Sequence, residues 1–132
     1  MKVSVCMSSY NGEKFIGEQI QSILEQSVEV YEIIIIDDFS VDATVNIIEN
    51  FNCERIKLFK NSKNLGYVKT FEKSISQAAG DIIFLSDQDD VWHSNKVCEL
   101  LQSFKDDNTV CTFHNLHYVD SIKQSVNIKQ KK

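Results

Sequence analysis

No stretch of this chain approaches the roughly 20 consecutive apolar residues that a membrane-spanning helix needs, so no span is expected. The N-terminus runs straight into an apolar strand pattern, without the segments of a signal peptide. No basic stripe is visible and the formal net charge is −5, which argues against a nucleic-acid partner. The one basic cluster, Lys129, Lys131 and Lys132, lies at the extreme C-terminus. It reads as a frayed tail, with a weak membrane-surface reading kept open. Close cysteine pairs are missing as well. Cys6, Cys53, Cys98 and Cys111 are scattered, in a spacing that fits neither a zinc knuckle nor a redox dithiol. They are expected to be reduced core residues of a cytosolic protein. Proline is absent and carries no functional message, and there is no linker, repeat or low-complexity segment.

What remains is ordinary soluble-domain material. The 132 residues suffice for one domain that buries roughly two-thirds of its unfolded surface. Strand and helix patterns alternate throughout. Strands are expected at Val3 to Met7, Tyr31 to Ile36, Ile56 to Phe59, from Asp81, and at Thr109 to Val119. Between them, Gly12 to Gln26 carries Ile16, Ile20, Ile23 and Leu24 on one helical face. Asp42 is placed to cap a helix through Phe51, with Val45 and Ile48 inward. After a polar loop, Lys60 to Gly66, a helix to about Ala79 would bury Val68, Phe71 and Ile75 and end at Gly80. Val97, Leu100, Leu101 and Phe104 form an i, i+3, i+4, i+7 stripe. Repeated βαβ of this kind implies a parallel sheet covered by helices on both faces.

Two of the apolar runs end in acids. Ile33 to Ile36 leads into Asp37-Asp38-Phe39-Ser40, and Ile82 to Leu85 into Ser86-Asp87-Gln88-Asp89-Asp90-Val91-Trp92. Such runs read as strands buried on both faces, and ligands of open α/β sheets bind outside their carboxyl ends. Carboxylates gathered there repel one another and need a cation or donor hydrogens. Hard oxygen ligands without thiolate or imidazole favour Mg²⁺ or Mn²⁺, which points to a metal–nucleotide site. Asp87 and Asp89 could face one ligand, while Asp90 suits a helix cap. Tyr10 beside a strand-end acid suits a nucleoside, with the ring stacked on the base and the acid accepting its imide N–H. A receiver-type phosphoacceptor domain also pairs strand-end acids, but after its first strand; here the first strand ends in Ser8-Ser9-Tyr10-Asn11. His114 and His117, three apart on an expected strand, would point to opposite faces and are not expected to share a metal.

Four segments in order resemble family-2 glycosyltransferases of the GT-A fold. They are Val3 to Asn11, Ile35 to Thr44, Asn64-Leu65-Gly66 and Ala79 to Trp92. The likeness is greatest to the bacterial branch with an Asp-Gln-Asp-Asp loop, often rhamnosyltransferases or similar enzymes of surface-polysaccharide synthesis, and runs from about residue 2 to at least 105. It implies a Rossmann-like, three-layer α/β/α domain with a mostly parallel sheet, truncated after the DxD region. Residues 1–122 would form the donor domain and 123–132 a tail. It further implies that Ser8 and Tyr10 contact base and ribose, that Asp38 binds the base with support from Asp37, and that Asp87 lies near the ribose. Gln88 is the middle residue of the DxD motif, grouped with the nucleotide-sugar contacts. Asp89 would coordinate the Mg²⁺ or Mn²⁺ that bridges the diphosphate. Lys69 is expected to be a solvated helix lysine.

Inverting relatives carry a general-base carboxylate downstream of the DxD loop. Asp106, Asp107 and Asp120 match no such motif, so the base and the acceptor half are expected to be missing. The expected partners are a UDP-, dTDP- or GDP-linked sugar and a glycan or lipid-linked glycan acceptor. The expected place is the cytoplasm, with room for peripheral association at the inner face of the membrane. The alternative is a non-catalytic nucleotide-binding fragment. A shortened sheet would expose an edge and an apolar face and favour self-association.

Overall fold

The computed structural model describes residues 1–106 and 108–117. Within them β1 (Val3–Ser9), α1 (Ile16–Leu24), β2 (Glu32–Asp37), α2 (Thr44–Asn50), β3 (Ile56–Lys60), α3 (Tyr67–Ser76), β4 (Ile82–Ser86) and α4 (Lys96–Ser103) alternate as expected. The sheet runs β3-β2-β1-β4 and every pairing is parallel. The chain steps outward from β1 to β3, then crosses back to lay β4 on the other side of β1. That reversal creates a switch point between β1 and β4, where loops leaving the strand ends diverge and open a crevice.

β2 anchors the domain. Ile33, Ile34, Ile35 and Ile36 are fully buried, and each contributes about 1.5–3 kcal/mol through burial. Ile33 and Ile35 pack with Val5 and Met7 of β1, Ile16, Ile20 and Ile23 of α1, Ile48 of α2 and Val97 of α4. The α4 stripe of Leu100, Leu101 and Phe104 joins this cluster. On the opposite face Ile34 and Ile36 meet Cys6 and Ala78.

Several expectations need correction. β4 is buried on one face only: Ile82 and Phe84 point inward, while Ile83 and Leu85 are 41% and 57% exposed. The cause is position, since β4 is an edge strand among the described residues and α3 lies over β1 and β2 instead. α3 does not bury Val68 and Ile75, which are exposed; Thr70 and Ser74 face inward. Their hydroxyls donate to the carbonyls of Gly66 and Phe71, so these small polar residues reach the sheet without unmet hydrogen bonds. Gly80 lies beyond the end of α3, and its need is space: a Cβ there would sit 2.6 Å from Ser4 Oγ and 2.8 Å from the Lys2 carbonyl. Residues 109–117 form no strand; they take no part in the β3-β2-β1-β4 ladder, and Val110 and Phe113 are almost fully exposed. Tyr118 and Val119, Asp107, Asp120 and the expected tail 123–132 lie outside the described residues. All four cysteines are free, but only Cys6 is in the core; burial pushes its thiol up to about 11.

The amino ends of the strands are tied by one buried carboxylate. Glu32 accepts from Ser4 Oγ (2.6 Å), the Ala79 N–H (2.7 Å) and Lys57 Nζ (2.6 Å). Burial opposes its charge, but these partners outweigh burial and hold its pKa below the usual range.

Candidate nucleotide and metal site

The carboxyl ends of β1, β2 and β4 bring the expected site residues to one edge. Ser9 pairs in register with Asp37, and Met7 with Ser86, so the loops after these strands leave at similar height. Ser8 is half-buried beside Ile36, Tyr10 is 47% exposed, and Lys69 lies exposed on α3.

The acids after β2 are buried and engaged by their own chain. Asp37 Oδ1 accepts from Ser9 Oγ (2.9 Å) and Ser40 Oγ (2.6 Å), and Oδ2 from the Ser40 N–H (2.9 Å). This turn holds Phe39 at φ 71°, a conformation costly for a non-glycine residue, and leaves its ring half exposed. Asp38 Oδ1 accepts from the Leu65 N–H (2.7 Å) and Asn61 Nδ2 (2.9 Å), and Oδ2 from the Gly66 N–H (2.8 Å). Burial would raise the Asp38 pKa; these bonds, with Thr70 nearby, outweigh it and hold the carboxyl below its ordinary value. Asp38 thereby shapes the Asn61–Gly66 loop, and Gly66, at φ 85°, supplies the left-handed turn that loop needs.

The acids after β4 are arranged differently. Asp87 and Asp89 are exposed, and neither side chain accepts a hydrogen bond from a described residue. Asp90 is half-buried; burial first, then the Asp87 charge, push its pKa up, against the opposing pull of Lys96. It does not cap α4, which starts six residues later at Lys96, after Asn95. No group of three or more His, Cys, Asp or Glu side chains converges as a metal site among the described residues. The chemistry of the donors fits a hard cation nonetheless: two free carboxylates one residue apart, which one or two metal–oxygen bonds and a substrate phosphate would complete.

What fixes the acidic loop is a polar rail along α1 and the turn just after it, which apolar periodicity does not reveal. Gln19 is fully buried. With its amide oriented to suit its neighbours, the oxygen accepts from Ser86 Oγ (2.5 Å) and Trp92 Nε1 (3.1 Å), and the nitrogen donates to the Asp90 carbonyl (2.5 Å). Ser22 Oγ accepts from the Trp92 N–H (3.0 Å). Gln26 donates to the His93 carbonyl (2.8 Å) and accepts from the Val97 N–H (3.0 Å). Polar residues at i, i+3 and i+7 beside an apolar face are the sequence trace of this rail; Gln19 and Gln26 are buried and Ser22 is half-buried. Trp92 completes it, packing on Phe84 with Lys96 over its ring.

The loop after β1 joins both acidic regions. The Asp38 N–H donates to the Ser9 carbonyl (2.8 Å), and the Asn11 N–H to Ser40 Oγ (2.9 Å). The Gly12 N–H donates to Thr44 Oγ1 (2.8 Å), while Asp42 accepts from the Thr44 N–H (2.9 Å) at the start of α2. On the other side Gln88 contacts the main chain of Tyr10.

A parallel βα domain with this strand order and acids beside the switch point is of the Rossmann-like GT-A class. The chain belongs to glycosyl transferase family 2, whose family model matches residues 4–129. It is 34% identical to the dTDP-rhamnosyl transferase RfbG of Shigella flexneri over 117 residues, covering 83% of this chain and 40% of that protein. The crystal structure of TarS 1–349 from S. aureus in complex with UDP-GlcNAc matches with a TM-score of 0.74 at 28% identity, over 80% of this chain and 31% of that one. The mannosyltransferase PcManGT of Pyrobaculum calidifontis, in complex with GDP-Man and Mn²⁺, shares the fold, with a TM-score of 0.70 at 21% identity over 76% and 31% of the two chains. The chain spans less than half the length of the curated relatives it matches.

Proposed function

We propose that this chain binds a metal–nucleotide-diphosphate sugar and serves as the donor-binding part of an inverting glycosyltransferase of bacterial surface-polysaccharide synthesis. The observation that carries the reading is the pair of uncommitted carboxylates, Asp87 and Asp89, on a rigidly anchored loop at the switch point. In this reading Tyr10 and Ser8 meet the nucleoside, Asp38 reads the base with Asp37 in support, and Asp87 lies near the ribose. Gln88 stands between the two subsites, and Asp89 holds Mg²⁺ or Mn²⁺. The cation would neutralise the departing diphosphate as an acceptor hydroxyl attacks the anomeric carbon from the opposite face. A general base must lie within hydrogen-bond reach of that hydroxyl, and no acid of this chain matches one by motif. RfbG is named a dTDP-rhamnosyl transferase and TarS is seen in complex with UDP-GlcNAc, so family membership leaves the base open. A glycan or lipid-linked acceptor and work at the cytoplasmic face of the membrane belong to the same proposal.

Calorimetry with UDP, dTDP and GDP, each with and without Mn²⁺, tests it. One nucleotide should bind in a Mn²⁺-dependent way. A folded chain that binds none of the three in either condition would overturn the reading.

A further inference from the structure

Gln88 was expected among the nucleotide-sugar contacts, yet its amide is turned toward its own chain. Oε1 accepts from the Tyr10 N–H at 2.9 Å and Nε2 donates to the Tyr10 carbonyl at 3.0 Å. These two bonds join main chain and side chain 78 residues apart and imitate one rung of a sheet ladder just beyond the ends of β1 and β4. We infer that Gln88 is a latch between the acidic loop and the nucleoside-side loop, a positioning residue that sets their separation and does not itself contact the donor. This inference rests on the donor-site reading above and assigns Gln88 a different part in it.

Gly12 supplies an independent sign of the same device. A Cβ at position 12 would lie 2.2 Å from Gln88 Oε1 and 2.6 Å from Cδ. Gly12 is not among the residues with positive φ, so its lack of a side chain answers the need for space beside the latch. The Tyr10 loop is held from the other side by the Asn11–Ser40 and Gly12–Thr44 bonds. Gln88 is therefore what connects that assembly to the acidic loop through Tyr10. An amide suits this post because it offers one acceptor and one donor to a peptide unit's N–H and C=O. A carboxylate would face the Tyr10 carbonyl with a second acceptor, and a shorter amide would not reach. With both heteroatoms so used, a nucleoside held at Tyr10 and a cation held at Asp89 are fixed relative to one another, and a small shift of either loop is costly for a ligand that spans both.

The test uses the 132-residue chain and four forms: wild type, Gln88→Met, Gly12→Ala and the double variant. Gln88→Met keeps length and removes both bonds; Gly12→Ala leaves Gln88 intact but displaces it. Two readouts are taken on each, amide exchange at Tyr10 by NMR and Mn²⁺-dependent affinity for whichever of UDP, dTDP and GDP the wild type binds. Each single variant should raise Tyr10 exchange and weaken the nucleotide by about tenfold, with Asn11 and Gly12 amides still protected. The double variant should be no worse than Gln88→Met alone, because the alanine has nothing left to displace. Weakening by Gln88→Met but not by Gly12→Ala would mean that Gln88 touches the donor directly, and would overturn the latch. So would a wild-type Tyr10 amide that exchanges as fast as in Gln88→Met. A wild type that binds no nucleotide yet protects Tyr10 through Gln88 would sink the donor-site reading and leave the latch standing, so the two failures are separable.

Discussion

The acids after β2 and the acids after β4 look alike in sequence and do opposite things in the structure. Asp37 and Asp38 are each 2% exposed and accept hydrogen bonds from three groups apiece. Asp87 and Asp89 are exposed and accept none from the described residues. A buried carboxylate surrounded by donors stays charged without a cation and shapes the loops that donate to it. An exposed pair beside a third acid gathers negative charge that no described donor offsets; at Asp90 burial, and after it the Asp87 charge, push the carboxyl pKa up. In the proposed reading, the cluster after β2 shapes the base side of the pocket while the cluster after β4 is left for the cation.

Exchanging charge for amide on each side should separate the two roles. Asp89→Asn is expected to cost the metal-dependent part of nucleotide affinity, roughly 100-fold or more, with the thermal midpoint unchanged; calorimetry with a melting curve reads both. Asp38→Asn should do the reverse in its first effect. Its amide nitrogen would face the Leu65 or Gly66 N–H, leaving a buried donor unpaired, at about 2–3 kcal/mol of stability in urea unfolding. Nucleotide binding would fall along with the loop.

Acid should expose the same contrast. Glu32, Asp38 and Asp42 all have folded pKa values held below their unfolded values. The unfolded chain therefore takes up protons first, so their contribution is complete above an unfolded pKa of about 4. It is lost as pH falls below that, through the folded values. Unfolding monitored from pH 7 to 2 should show stability holding to about pH 5 and dropping below pH 4, with a smaller drop in Asp38→Asn. The smallest expected effect lies on the open face of β4. Leu85→Lys should change stability by no more than about 0.5 kcal/mol while raising the concentration at which light scattering still reports a monomer, since Leu85 and Ile83 are an exposed apolar pair on an edge strand.

What sequence reading captured were features set by local pattern. The Ile33 to Ile36 run, the α1 face of Ile16, Ile20 and Ile23, the α4 stripe and the strand-end acids all lie where periodicity and turn chemistry put them. What it missed depends on partners far away in the chain. Gln19, Ser22 and Gln26 are polar, so no apolar period marks them, yet they fix the loop that carries Asp87 and Asp89. β4 reads as apolar throughout, but its place at the sheet edge decides that only Ile82 and Phe84 are covered. The small polar face of α3, Thr70 and Ser74, is buried for the same reason: close contact with the sheet is a property of the pair. The contrast between Asp38 and Asp89 is of this kind too, because a carboxylate's surroundings cannot be read from its neighbours in sequence.

The most direct test of that contrast is to add Mn²⁺ to the chain carrying ¹⁵N and follow the loss of amide signals near the paramagnetic ion, with and without nucleotide. The account predicts that the signals of Asp87 to Asp90 broaden first, at lower Mn²⁺ when nucleotide is present, and that Asp89→Asn abolishes the effect. Broadening centred on Asp37 and Asp38, or none around Asp89 at saturating nucleotide, would contradict it.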